Sequence, residues 1–283
     1  RAVPQRLQAG TIPLCGNARG VAFAPVTSKH TALASRLEAA IARRSPLRIH
    51  DFPELSQEEA YEVQKSLIRS LCMGGSRRIA GFKISMTSPE TQALAGASAP
   101  AYGILTSDMI LEEPATLSLS GCLEPLLELE IQFIVDEDLT VGAARAEIEA
   151  KCSVAPGIEV PDSRFDSWYG NLSVGHIISD DCVAGHVVVG APMPLSDVRV
   201  LRRVRAKLHL EGEVIARGTA SSVMGDPIVA MEWLTDALGA QGRALQRSTL
   251  VSSGTLCMPV GVRPGRYRAA FTELGEVRLS ITA

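Results

Sequence analysis

Apolar positions in the early part of the chain recur at helical spacing. Leu33, Leu37, Ala40 and Ile41 make one stripe that runs up to Arg43-Arg44 and must stop before Pro46. A second helix is predicted from Ser56, whose hydroxyl can cap while Glu59 reaches back; its stripe is Ala60, Val63, Leu67, Ile68 and Leu71, and Gly74-Gly75 ends it. These two elements define a small N-terminal helical region over 31–75. From Ile79 the period shortens to two. Short apolar runs separated by Gly, Pro and Asp turns predict strands over 79–87, 126–135, 154–160, 183–190, 203–216 and 248–253, with a closing pair around Leu274-Gly275. Helices become fewer: one opens at Ser88-Pro89-Glu90 and ends at Gly96, one covers 142–151, and one runs from Asp226-Pro227 to Gly242. The pattern is that of an α+β, mainly β protein, with antiparallel or mixed sheets curled or sandwiched in a body over 76–283.

Composition narrows the partners. With 46% hydrophobic and 21% charged residues in 283, the chain can bury a large core and is not disordered. Its 28 Lys+Arg against 31 Asp+Glu give a net charge of −3, and no basic run exceeds two residues, so neither nucleic acid nor an anionic membrane surface is an expected partner. Apolar stretches such as Val187-Val188-Val189 fall far short of the ~20 residues of a membrane span. Six cysteines (15, 72, 122, 152, 182 and 257) without a C-x-x-C pair fit reduced thiols and a cytoplasmic setting. No acid precedes Glu38, a bias shared with transit peptides, yet Pro4, Pro13, Pro25 and three glycines break any amphipathic helix there; residues 1–30 are expected to be a flexible tail. The partner left is a small molecule.

Nucleotide signatures are missing, since Gly75 to Lys83 does not fit a phosphate loop and no G-x-G-x-x-G follows a strand; nor is there a G-x-S-x-G elbow. The informative segment is Leu126 to Val135. Leu127, Leu129, Ile131, Phe133 and Val135 fall on one strand face, while Glu128 and Glu130 project from the other, about 7 Å apart at Cα. An isolated pair of this kind is ordinarily a solvated strand face. Here Ile134 and Pro125-Leu126 make that second face partly apolar, and a half-buried carboxylate pair needs a cation or a shared proton. Oxygen donors select a hard ion, Mg²⁺ or Mn²⁺, and Glu159, a lone charge near the end of another apolar strand, is the candidate third ligand. Lys83, in a mostly apolar strand, either snorkels to the surface or needs a negative partner.

Taken in order, Gly81-Phe82-Lys83-Ile84-Ser85-Met86-Thr87-Ser88, Tyr102-Gly103-Ile104-Leu105 with Asp108-Met109, Glu128-Leu129-Glu130-Ile131, and Ile158-Glu159 with Asp162-Ser163-Arg164 and Trp168 resemble the hydratase/decarboxylase branch of the fumarylacetoacetate hydrolase superfamily. Met224-Gly225-Asp226-Pro227, Glu232-Trp233-Leu234 and Ser252-Ser253-Gly254-Thr255-Leu256 extend the likeness, which runs from about Ala60 to the C-terminus and is greatest to the 2-hydroxypenta-2,4-dienoate hydratases. The resemblance implies a curled mixed-sheet β-roll in which Glu128, Glu130 and Glu159 bind one divalent ion and Lys83 and Asp108 stand at the substrate as catalytic groups. It further implies a metal-dependent hydro-lyase of aromatic meta-cleavage catabolism, acting on a small 2-oxo or 2-hydroxydienoic acid. Homo-oligomers are expected, with a downstream aldolase or related decarboxylase as a further partner. Ser253 and Thr255 are candidate head-group donors, or ordinary turn residues.

Three departures qualify the likeness. Ser179-Asp180-Asp181-Cys182-Val183 replaces a usual A-D-N-A-S, His176 stands where Asp is common, and Ser85 replaces a usual Gly. They leave open a decarboxylase of the 4-oxalocrotonate type, which needs the same chelate, and a non-catalytic partner subunit. A C–C hydrolase would want a His/Glu pair, for which His50 is the one histidine before the lysine strand with the right placement, though its flanks do not fit.

Overall fold

The computed structural model describes residues 28–283; the expected tail over 1–30 lies outside these residues except for its last three, which open the first helix. The helices are α1 (Ser28–Arg43), α2 (Gln57–Cys72), α3 (Pro89–Ala95), α4 (Arg145–Lys151), α5 (Val174–Ser179) and α6 (Pro227–Gly239). The strands are β1 (Ile79–Ser85), β2 (Ala101–Thr106), β3 (Ile110–Glu112), β4 (Ala115–Ser118), β5 (Leu126–Val135), β6 (Cys152–Val160), β7 (His186–Val189) and β8 (Met193–Pro194). They continue with β9 (Arg205–Leu210), β10 (Glu213–Thr219), β11 (Leu250–Thr255), β12 (Val260–Gly261), β13 (Gly265–Phe271) and β14 (Gly275–Thr282).

Two mixed sheets form. The larger runs β2-β1-β11-β5-β6-β7-β3, with β12 joined to β5 and β8 to β6; the smaller runs β10-β9-β13-β14-β4. Parallel pairs (β1 with β11, β3 with β7, β4 with β14) sit among antiparallel ones, so the α+β, mainly β reading and its mixed sheets hold. The main core packs Leu127, Leu129, Ile131 and Phe133 of β5 against Leu208, Tyr267, Val277 and the apolar side of α6. A second core lies under α1 and α2 and includes Phe165, Trp168 and Ile178, so the N-terminal helices share buried surface with the body.

Local chemistry explains the helix starts. Ser56 and Glu59 form the expected reciprocal cap, Ser88 caps α3 with Pro89 in its first turn, and Asp226 accepts from the Ile228 N–H at the start of α6. The predicted run 203–216 is instead a hairpin, β9 and β10, reversing at Glu211-Gly212 where both residues have positive φ. The strand expected over 183–190 begins only at His186, because Asp181, Cys182 and Val183 all take left-handed φ (52°, 51° and 52°). Strands β2, β3 and β4 and helix α5 were not predicted by the periodicity. Among the described residues no helix is long and apolar enough to cross a membrane.

Candidate metal centre and substrate cavity

The centre is assembled by four adjacent strands. β5 carries Glu128 and Glu130, and Glu159 on β6 stands directly opposite Glu128. On the other side of β5, β11 sets Ser252 opposite Gln132 and, across its parallel neighbour, level with Lys83 of β1. Strand alternation aims all of these side chains to one face.

One carboxylate oxygen from each of Glu128, Glu130 and Glu159 lies within 4.8 Å of the others. Glu159 and Glu130 are 0% and 1% exposed, and Glu128 is half-buried. The Lys83 ammonium, also buried, pairs with Glu159. Three carboxylates and one ammonium sum to −2, the charge that a divalent cation cancels, and every ligand is a hard oxygen; the residues therefore fit the expected ion. Burial, then Glu159 and Glu128, pushes the Glu130 carboxyl well above its usual range, and burial and Glu159 push Glu128 in the same direction. Burial opposes the charge on Lys83, but Glu159, Glu128 and Glu130 outweigh it and hold the proton on.

Glu130 is oriented as well as buried. Its Oε2 accepts from the Ser252 hydroxyl and, at 3.0 Å, from the Gly254 N–H. The Gln132 amide donates to Ser252 Oγ at 2.7 Å, which turns the serine proton toward the carboxylate. Two glycines make room for this. A Cβ on Gly157 would lie 2.5 Å from Gln132 Cγ, and Gly254, at φ +105°, would drive one into the Thr87 side chain.

Above the carboxylates opens a cavity with Lys83, Glu128 and Glu130 at its floor. Ser85, Thr87, Thr91, Tyr169 and Thr255 add hydroxyls, and Met86, Leu94, Ala95, Trp168, Leu172, Ile177 and Val183 give an apolar wall. The Trp168 indole is fixed by donating to the Glu124 carbonyl at 2.8 Å.

The structure brings together Lys83, Glu128, Glu130, Glu159 and Thr255 but not the other two candidates. Asp108 follows β2 at its far end, where Thr106 pairs with Ile79 rather than with Lys83. There it accepts from the Thr106 hydroxyl at 2.7 Å and pairs with Arg77 at 3.0 Å, half its surface in water and away from the cavity lining. Ser253 is buried and turned aside, accepting from the Ile131 N–H and donating to the Gly254 carbonyl, while its neighbour Ser252 turns to Glu130 instead of the cavity. Thr255 lines the cavity, with its hydroxyl bonded to the Cys257 carbonyl at 2.6 Å. Sequence reasoning misses Ser252 and Gln132; strand parity finds Gln132, which shares the β5 face of Glu128 and Glu130, but no sequence signal separates Ser252 from Ser253.

The remaining motif residues brace this arrangement. Asp180 accepts from the Ser163 hydroxyl at 2.9 Å and from the Arg164 backbone at 3.0 Å, and pairs with the Arg164 guanidinium, fixing the turn beyond Glu159. Asp162 accepts from the Leu123 and Glu124 amides ahead of β5. His176 is buried, bonded to Ser173 at 2.8 Å and packed on Phe52 and Phe165. His50 stands exposed beside Asp51.

No family model matches the chain. It is 32% identical to the 2-keto-4-pentenoate hydratase 1 of Dechloromonas aromatica over 225 residues, 78% of this chain and 84% of that protein. It is 31% identical to a 4-oxalocrotonate decarboxylase of Pseudomonas sp. over 261 residues, 90% of this chain and 98% of the relative. Among solved structures, the 4-oxalocrotonate decarboxylase of Pseudomonas putida G7, complexed with magnesium and adipate, matches with a TM-score of 0.82 and 25% identity, over 89% of this chain and 97% of that one.

Proposed function

The chain belongs to the 2-keto-4-pentenoate hydratase and 4-oxalocrotonate decarboxylase family of the fumarylacetoacetate hydrolase superfamily, and from that premise we propose that it is a divalent-metal-dependent hydro-lyase. It adds water to a 2-hydroxy-2,4-dienoate and yields a 4-hydroxy-2-oxo acid, a step of aromatic meta-cleavage catabolism. The observation that carries this reading is the Glu128, Glu130 and Glu159 cluster, with oxygens within 4.8 Å of one another and with Glu128 and Glu130 lining the cavity. A bound Mg²⁺ or Mn²⁺ supplies positive charge against the negative charge that develops on the 2-oxygen of the substrate.

The chain's own groups do the rest. Glu128, Glu130 and Glu159 hold the ion, while Ser252 and the Gly254 N–H keep Glu130 aimed. Lys83 keeps its proton and so serves as a fixed cation at the Glu159 end of the floor. The wall of Met86, Trp168, Leu172 and Val183 holds the carbon skeleton and sheds water from it. In the reaction, a proton added at the terminal carbon of the dienol and the proton lost from its 2-hydroxyl give the isomeric 3-en-2-one, and water then adds across C3–C4, its oxygen to C4 and its proton to C3.

A second reading, decarboxylation of a 2-oxo-hex-3-enedioate, is favoured by one observation, the 31% identity to a decarboxylase across nearly that protein's full length. The test is paired. The full chain with Mg²⁺ or Mn²⁺ is expected to remove the ultraviolet absorbance of 2-hydroxypenta-2,4-dienoate and to yield the 4-hydroxy-2-oxo acid. Carbon dioxide release from the dicarboxylate with no turnover of the dienoate would replace the hydratase reading by the other. Glu130→Gln should abolish turnover and weaken metal binding together.

A further inference from the structure

The outer part of the cavity has a chemistry that the carboxylate floor does not require. Lys83 is the one cation lining it among the described residues, and that ammonium is already committed to Glu159. Beyond the floor the lining is Met86, Leu94, Leu172, Ile177 and Val183 with neutral hydroxyls among them, and carries no second charge. Val183 lies in this wall as the last of three successive left-handed residues, a backbone that a β-branched residue rarely adopts. The apolar surface also continues outward. Leu94 and Tyr169, 43% and 38% exposed, line the mouth, and Met258, 49% exposed, stands 3.9 Å from the Tyr169 hydroxyl. Single exposed apolar side chains need no explanation, but three gathered at one opening mark a surface that something apolar covers.

We infer that the substrate beyond its 2-oxo acid head is uncharged and apolar, and longer than a methyl group, so that it runs along this wall to the mouth; dicarboxylic analogues are rejected. The inference rests on the reading of the floor as the head-group site. A distal carboxylate placed here would lose its water against neutral hydroxyls, with no free cation to pair with, whereas each methylene laid on the wall tightens binding by roughly fourfold when fully buried. Two other cations, Arg205 and Arg217, line a separate depression that shares Thr91 and Thr255 with the cavity. A carboxylate would have to leave the apolar wall to reach them.

The test is calorimetric binding to the full chain loaded with Mg²⁺, using saturated 2-oxo acids that cannot be hydrated: 2-oxopentanoate, 2-oxooctanoate and 2-oxohexanedioate. We expect 2-oxooctanoate to bind at least about tenfold more tightly than 2-oxopentanoate, given three further methylenes, and 2-oxohexanedioate to bind more weakly than either. Leu172→Ala should shrink the octanoate advantage, Leu94→Arg at the exposed mouth should improve the dicarboxylate, and Arg217→Gln should change nothing. A dicarboxylate that binds as well as the monocarboxylates, or whose binding falls with Arg217→Gln, overturns the inference and leaves the head-group reading standing. Failure of all three acids to bind while Mg²⁺ is retained overturns the head-group reading, and the inference with it.

Discussion

The ammonium of Lys83 and the carboxylate of Glu159 pair inside the protein, with 3% and 0% of their side chains exposed. Glu159 also faces Glu128 across the β5–β6 pair, so the lysine neutralises one of three crowded carboxylates and would compete for it with the metal ion proposed there. Lys83→Met keeps the apolar stem and removes only the charge. Without metal the variant should lose about 3–5 kcal/mol, the usual cost of stranding one partner of a buried pair. With Mg²⁺ it should bind the ion more tightly than the parent, since the site now sums to −3, while turnover falls. Calorimetric melting with and without Mg²⁺ checks this: the gap between the two melting temperatures should widen. A narrower gap would mean that Lys83 helps the ion to bind.

Ser252 touches no substrate position but fixes Glu130, and Gln132 fixes Ser252. Partners behind a metal ligand commonly contribute about 10–100-fold in affinity. Ser252→Ala is therefore expected to weaken Mg²⁺ binding by a factor in that range, whereas Ser253→Ala, whose hydroxyl faces the backbone of β5 and its own turn, should leave it within about twofold. Equal losses in both variants, measured by titration with Mg²⁺ alone, would remove Ser252 from its positioning role.

The same carboxylates set a pH dependence. Glu130 and Glu128 titrate above their ordinary 4.5 in the folded chain, chiefly through burial and secondly through Glu159. A carboxyl whose folded pKa is raised favours the fold fully below its unfolded pKa, and that contribution disappears as pH rises through the folded value. Metal-free protein should therefore be more stable at pH 5 than at pH 8, and Mg²⁺ should restore the loss at pH 8 but add little at pH 5, where it must displace protons. Denaturant midpoints at the two pH values, with and without Mg²⁺, are the measurement; a metal-free chain that gains stability toward pH 8 would contradict it.

What the sequence made legible was whatever local periodicity controls. The β5 face of Leu127, Leu129, Ile131 and Phe133 is fully buried as its alternation demands, and the Glu128/Glu130 pair follows from the same parity. Glu159 stood out as the one charge in an apolar strand. The choice between Ser252 and Ser253 was not legible, because the register of β11 against β5 shifts between Ser252 and Thr255. Strand β2 escaped notice because it is buried on both faces, which erases alternation. Asp108 was set at the substrate by the resemblance alone, and it sits past the far end of β2, where the strand pairing carries it away from Lys83. The hairpin at Glu211-Gly212 was hidden by apolar positions that continue in phase through the turn.

The departure at Asp181 has a measurable signature. Its Oδ1 accepts from the Ile104 N–H at 2.8 Å, while Oδ2 is buried with no hydrogen-bond partner. Burial pushes this carboxyl up to about 7, against the opposing pull of the Ile104 amide, Arg164 and Lys83. The sign is again that of a raised acid: its contribution to folding is full below its ordinary 3.8 and is lost as pH rises through about 7. Asp181→Asn is nearly isosteric, keeps the acceptor for Ile104 and never ionises. Its stability advantage over the parent should grow by about 1–3 kcal/mol between pH 5 and pH 8. Urea midpoints of both proteins across that range decide it. A difference that does not change with pH would mean that Asp181 stays ionised throughout, with Lys83 and Arg164 carrying its charge; a difference that grows would show that the chain holds a protonated carboxyl behind Lys83 at neutral pH.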